Sequence, residues 1–220
     1  MSQSLRIALI DWNTSVRSAR RAILDATENL SVVFESDGRK DQLNQLPDLL
    51  VDVVVIDQQL DSKTGVDAFL TLRQSYEELS EVPKAVLTTV YDIATLRVLA
   101  LGAGMHDVVS IDSGPEGLIT AIRSAASAEP VIDLAELAKL LTETPPVSKN
   151  NFELSQGVIA LPVRKKGLIE KLVEEWPKIK DGSKPRLTLE QYQPLALSLG
   201  FLSASELIIK LMQNGVLNAK

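Results

Sequence analysis

The 220-residue chain contains no cysteine, which excludes disulfides, thiolate metal sites and a cysteine nucleophile. Its single histidine, His106, has no second histidine or serine at catalytic spacing, so it reads as a loop residue rather than a general base. No apolar run approaches the ~20 residues that span a bilayer. The most apolar stretch, Val51 to Ile56, is short and broken by Asp52. Met1 leads through a few polar residues into a strand-like run, without the pattern of a signal peptide. A cytoplasmic protein with no membrane partner is the expectation. Apart from two aspartates discussed below, no nucleophile–base pair or metal-ligand cluster is visible, so the chain is not read as an enzyme.

The residues that are present suit a globular fold. Hydrophobic residues make up 45% of the chain, enough for a core, and the length suits one domain plus a smaller one. Charge is uneven: residues 1–150 carry 13 basic against 22 acidic residues, whereas residues 151–220 carry 10 against 7. An acidic front and a mildly basic tail point either to a polyanion or acidic-protein partner at the back or to an ordinary solvated surface.

Short aliphatic runs alternate with longer amphipathic ones. Leu5 to Ile10 is strand-like and stops at Asp11, and Val16, Ala19, Ile23 and Ala26 then fall at helical spacing. Ser31 to Glu35 reads as a second strand. Val51 to Ile56 is apolar on both faces after its first residues, as a central parallel strand requires. Helical spacing from Val66 to Tyr76 precedes a strand at Ala85 to Thr88. A helix from about Ile93 to Ala103 precedes a strand at Asp107 to Ser110, and Gly114-Pro115 opens a last helix. Five strand–helix repeats predict a parallel sheet covered on both faces. The site of such a sheet forms beyond the carboxyl ends of strands 1 and 3, where Asp11 and Asp57 stand.

These landmarks resemble the response-regulator receiver family over about residues 4 to 127. Ile10-Asp-Trp-Asn-Thr-Ser-Val-Arg17 is similar to its strand-1 motif, and Asp52-Val-Val-Val-Ile-Asp57 to the strand ending in its phosphoacceptor. Gly65 stands where the following loop carries a glycine, and Thr89 where the family has a hydroxyl after strand 4. Ala100-Leu-Gly-Ala-Gly104 matches the stretch before strand 5, and Ile111-Asp112 stands where members with LuxR/NarL-type outputs carry Lys-Asp. The resemblance implies Asp57 as phosphoacceptor, vestigial or active, in a pocket with Asp11, Trp12, Thr89 and Ile111. No cofactor is expected beyond a weakly held Mg²⁺ on Asp11 and Asp57. Asp57 also reads as a retained strand-end residue, and Asp11 as a cap or loop residue.

The departures from the family are informative. Trp12 replaces the second acid, Ile111 the phosphate-binding lysine, Val108 the aromatic that couples Thr89 to the output face, and Asp61 the usual proline. Loss of the lysine alone removes a charge-assisted contact of ~1.5–3 kcal/mol. Slow or absent phosphorylation is the expectation.

After Ser127, Ala128-Glu-Pro130 breaks the helix, Ile132 to Leu141 forms a short one, and Thr144-Pro-Pro146 with Ser148 to Asn151 reads as loop. Helical character resumes at Leu161, with Ile169, Leu172, Val173 and Trp176 as one stripe, and Trp176-Pro177 is expected to end or kink that helix. Thr188 with Gln191 and Ser203 with Glu206 read as capping boxes; Pro194 strains the first of these helices and Gly215 stops the second. The tight turn at Gly200 resembles a helix-turn-helix, similar to the first half of a LuxR/NarL-type DNA-binding domain. Arg164, Lys165 and Lys166 are candidate phosphate contacts or a solvated helix end. The last helix offers only Lys210, Gln213 and Asn214 to a base edge among apolar residues suited to packing.

The expected architecture is therefore α/β: a (βα)5 doubly wound receiver-like sheet over residues 1–128, a linker with a short helix over 129–149, and a small all-α effector domain over 150–220. Its expected role is an atypical two-component response regulator acting on transcription independently of phosphate, or else a signalling adaptor that binds no DNA. Expected partners are a second copy of the chain, and DNA or another protein.

Overall fold

The computed structural model describes residues 4–78, 81–91, 93–127, 132–144, 163–181, 185, 187–214 and 216–217, with the side chains of 163–166 left out. The chain divides into two compact units, residues 1–131 and 132–220.

In the first unit, β1 (Leu5–Ile10), β2 (Leu30–Ser36), β3 (Val53–Asp57), β4 (Lys84–Thr89) and β5 (Asp107–Ser110) form one parallel sheet in the order β2-β1-β3-β4-β5. The connections are α1 (Thr14–Asp25), α2 (Lys40–Leu43), α3 (Gly65–Arg73) and α4 (Ile93–Gly102), with α5 (Gly114–Ser127) closing the unit. This is the expected doubly wound sheet.

Strand periodicity decides which side chains face which layer. Successive strand residues point to opposite faces, so Ile7, Leu9, Val53, Val55 and Val86 share a face with Leu24 of α1 and with Leu118, Ala121 and Ile122 of α5. Ala8, Ile10, Val54, Ile56 and Leu87 alternate with them and are equally buried, as are Phe69 and Leu72 of α3 and Leu101 of α4. Burial on both faces explains why β3 is a run of β-branched aliphatics instead of an alternating strand. The β1–β3 register, Ile10 opposite Ile56, carries both chains to the same edge, and Asp11 and Asp57 follow there.

The second unit is helical. Asp133 and Glu136 form a complete capping box on α6 (Leu134–Glu143), whose Leu134, Leu137 and Leu141 are buried. Helix α6 packs on α7 (Val163–Lys180), so the helix that the sequence places in a linker belongs to this unit. On α7 the buried stripe is Ile169, Leu172, Trp176 and Ile179, while Val173 is 40% exposed. Pro177 lies inside α7. The helix continues beyond the proline to Lys180 instead of ending there, and Ile179, next to its last residue, is buried.

Helix α8 (Leu189–Ser198) and α9 (Ala204–Gln213) meet through Gly200, whose φ of +82° suits glycine. The cap at Ser203 holds, with the hydroxyl accepting from the Glu206 amide at 3.0 Å. The Glu206 carboxylate reaches back to the Leu202 amide at 2.7 Å. The expected box at Thr188 does not form: its hydroxyl is engaged by the Glu190 carboxylate at 3.1 Å and caps no amide. Pro194 is accommodated within α8. The stop at Gly215, the breaker at 128–130 and the loop at 145–151 lie outside the described residues.

Candidate functional site

The site lies at the carboxyl edge of the sheet. Asn13 caps α1, its side-chain oxygen accepting from the Ser15 and Val16 amides at 3.1 and 3.2 Å, a strong N-cap arrangement. This cap sets the first turns of α1 directly above Asp11. Gly65 sets the opposite wall. A Cβ on Gly65 would collide with the Asp57 carbonyl oxygen and the Leu87 side chain, so only glycine lets the start of α3 pass this close to the end of β3.

Asp11 and Asp57 are brought together, but not alone. Asp11 is only 2% exposed; its Oδ1 accepts from the Asn13 amide at 2.8 Å. Its Oδ2 accepts from Nη1 of Arg20 at 2.7 Å, and Nη2 of the same guanidinium is 3.3 Å from Oδ2 of Asp57. Asp57 Oδ1 accepts from the Gln59 amide at 2.9 Å, and Thr88 donates its hydroxyl to Oδ2 at 3.0 Å. Arg17 adds a second guanidinium, donating to the Asp11 backbone oxygen while paired with Glu35 at 3.5 Å. Burial pushes the Asp11 carboxyl above its ordinary range, against the Asn13 amide and Arg20, which pull it down; Asp57 adds to the rise and Arg17 opposes it.

Arg20 was not legible as a site residue. Its only sequence signal is the i, i+3 spacing from Arg17, which places both on one face of α1, but a helical arginine pair ordinarily lies in solvent. The pocket hydroxyl also differs from expectation. Asp57 and Thr88 are ladder partners, so Thr88, not Thr89, meets the carboxylate; Thr89 is buried with its hydroxyl oxygen accepting from the Tyr91 amide at 2.9 Å.

Trp12 and Ile111 do not fill the centre of the pocket. They are 47% and 46% exposed, at its rim. Ile111 helps line a cavity of about 160 Å³ with Arg20, Ile23, Thr88, Val109 and Leu118. Among the described residues no cation lines the β5 side of the cavity, so the charge of the missing lysine is not restored there.

The residues present do not fit the Mg²⁺ that a receiver fold implies. Mg²⁺ takes oxygen ligands in octahedral geometry and is held by carboxylates, waters and phosphate. Here every carboxylate oxygen of the pair already accepts a hydrogen bond, and a fixed positive charge bridges the two groups. Trp12 brings no oxygen where a further acid would stand. Among the described residues no group of three or more acids, histidines or cysteines could hold a metal ion.

Elsewhere, His106 precedes β5 in a loop, half-buried, with Nε2 3.3 Å from the Ser124 hydroxyl. Arg164, Lys165 and Lys166 fall on the first turn of α7, with side chains outside the described set. On α9, Leu207, Ile208, Ile209 and Leu211 are fully buried. No described helix is long and apolar enough to cross a membrane.

Comparison with known proteins agrees with the fold of the first unit. The model of the response regulator receiver domain matches residues 7–123. The uncharacterized transcriptional regulatory protein YxjL of Bacillus subtilis (strain 168) is 27% identical over 183 residues, 76% of this chain and 81% of YxjL. The transcriptional regulatory protein UhpA of Escherichia coli (strain K12) is 30% identical over 126 residues, 56% of this chain and 59% of UhpA. A solved two-component response regulator of the LuxR family from Aurantimonas sp. SI85-9A1 aligns with a TM-score of 0.54 at 22% identity, covering 64% of this chain and 98% of that one. At that identity the shared property is the fold.

Proposed function

Because this chain belongs to the response-regulator receiver domain family, we propose that it is a response regulator whose receiver is not switched by phosphoryl transfer and instead presents a fixed surface that controls a helical output in transcription. The observation that carries this reading is the Arg20 bridge between Asp11 and Asp57. Phosphoryl transfer to a carboxylate needs a free nucleophilic oxygen, a metal to neutralise the equatorial oxygens and a cation on the product. Asp57 has both oxygens engaged, the metal position faces a guanidinium, and Ile111 supplies no charge.

Incubation with acetyl phosphate and Mg²⁺ followed by intact-mass measurement tests the proposal. No mass increase is expected. Full modification that disappears in Asp57→Asn would overturn it.

The transcriptional part of the reading is supported by the names of YxjL and UhpA, which describe transcriptional regulatory proteins. The burial of α9 on most of its circumference favours a second reading, an adaptor that binds proteins and not DNA, because a helix that reads bases needs an exposed polar face. Retention on DNA that weakens steeply with salt supports the transcriptional reading. Absence of retention at low salt leaves the adaptor.

A further inference from the structure

We infer that Arg20 is a built-in counter-cation occupying the position where the receiver fold holds a divalent metal, so that Arg20 itself excludes Mg²⁺ and its removal uncovers a latent divalent-cation site on Asp11 and Asp57. This rests on the reading of the pocket as phosphate-independent, and names the residue that makes it so.

Charge balance admits a single cation between the two acids. Two carboxylates within reach of one guanidinium leave one net negative charge, and bringing in Mg²⁺ beside Arg20 would place two cations in contact. Only one of them can sit between Asp11 and Asp57. Desolvation favours the guanidinium. Mg²⁺ gives up water reluctantly, whereas a guanidinium is weakly hydrated, always charged and forked so that its two Nη atoms reach two acceptors. Asp11 is almost wholly buried and the Arg20 side chain is 12% exposed, so the cation with the smaller dehydration penalty is favoured.

Covalent attachment favours it as well. Arg20 lies in the second turn of α1, a helix fixed at its start by the Asn13 cap and along its length by Leu24 in the core. A tethered cation has an effective concentration independent of the bulk, and free Mg²⁺ must displace it against that advantage. Asp57 thus becomes an anchor that ties α1 to the end of β3. Its ladder partner Thr88 holds the same oxygen from the other side, so the carboxylate is immobilised between helix and sheet.

Arg20, and not Trp12, is the cause of exclusion. Trp12 is about half exposed at the rim, so it removes a ligand without occupying the space between the two acids. Substituting Arg20 should therefore suffice to open the site, without replacement of Trp12.

The test is a titration of the full chain with Mn²⁺, free ion being followed by electron paramagnetic resonance, and with Mg²⁺ as competitor. The wild-type chain is expected to show no binding that depends on Asp57. Arg20→Ala and Arg20→Met are expected to bind one Mn²⁺ about tenfold or more tightly than wild type, at the millimolar-range strength of a two-carboxylate site. Mg²⁺ should displace it, and Arg20→Ala/Asp57→Asn should lose it. Circular dichroism identifies which variants are folded. Folded Arg20 variants without Asp57-dependent binding would overturn the inference. So would wild-type binding that is lost in Asp57→Asn, a comparison that needs no Arg20 variant to fold. Acetyl phosphate modification of wild type without such metal binding would sink the functional reading alone.

Discussion

Arg20 and Asp11, nine residues apart, meet at 2.7 Å because the loop after β1 turns straight into α1 and Asn13 caps that helix over the strand end. The contact closes a local circuit of strand, cap and helix, and Asp57 joins it from β3. Removing one partner of a buried ion pair leaves the other charge uncompensated. Arg20→Met is expected to destabilise the first unit by about 3 kcal/mol, read as a lowered urea midpoint. Adding Asp11→Asn in that background should restore part of the loss, since the orphaned charge disappears. A double variant no more stable than the single would contradict the pairing.

Gly65 stands against the Asp57 carbonyl and Leu87, so a methyl group has no room. Gly65→Ala is expected to cost about 1–3 kcal/mol through overpacking, by thermal or urea unfolding. Gly167→Ala offers a contrast, because a Cβ there meets no atom within 4 Å. Equal losses at the two positions would speak against the close approach.

His106 is pushed down to about 4, first by burial and then by Lys84. The unfolded ring titrates near 6.5, so between these values the unfolded chain binds the extra proton and stability is lost as pH falls. The full shift corresponds to about 3 kcal/mol at 1.4 per unit, and partial exposure of the ring reduces this to about 1–2. Asp11 acts oppositely: its raised folded pKa means that ionisation costs stability as pH rises through the window just above 3.8. His106→Gln should flatten the fall between pH 6.5 and 4 while leaving the Asp11 contribution. An unchanged pH profile would refute the assignment.

Gln193 clasps the turn between α8 and α9. Its amide nitrogen donates to the Leu202 carbonyl at 3.0 Å, and its oxygen accepts from the Ala204 amide at 2.9 Å. Gln193→Leu is expected to destabilise the second unit by about 1–3 kcal/mol and to speed hydrogen exchange at Ala204. Unaltered exchange there would show that the clasp carries no load.

Much of the first unit was legible because period-2 and period-3.6 patterns are local, and because burial on both faces leaves β3 with a composition no surface strand has. Helix α1 was legible through the spacing of Val16, Ala19 and Ile23, although its cap is Asn13 and not Asp11, and the meeting of Asp11 with Asp57 was legible through the switch-point rule. The second unit was read less well. Pro177 carries a signal to end or kink the helix, which runs on to Lys180 with Ile179 buried, and Thr188 carries a capping signal that Glu190 diverts. At Thr188 a competing contact outweighed a local capping preference.

The sequence by itself determined the receiver fold, the convergence of the two aspartates and the absence of a lysine at Ile111, since each follows from residue type at a fixed position along a strand. Only the tertiary structure decided what stands between the aspartates. An arginine side chain is long and turns about several bonds, so its place in the sequence says which helix face it leaves but not where its charge arrives. That destination depends on the angle at which α1 crosses the sheet edge and on two acids awaiting a counter-charge there. Thr88 rather than Thr89 was decided in the same way, by a register between β3 and β4 that neither strand contains alone.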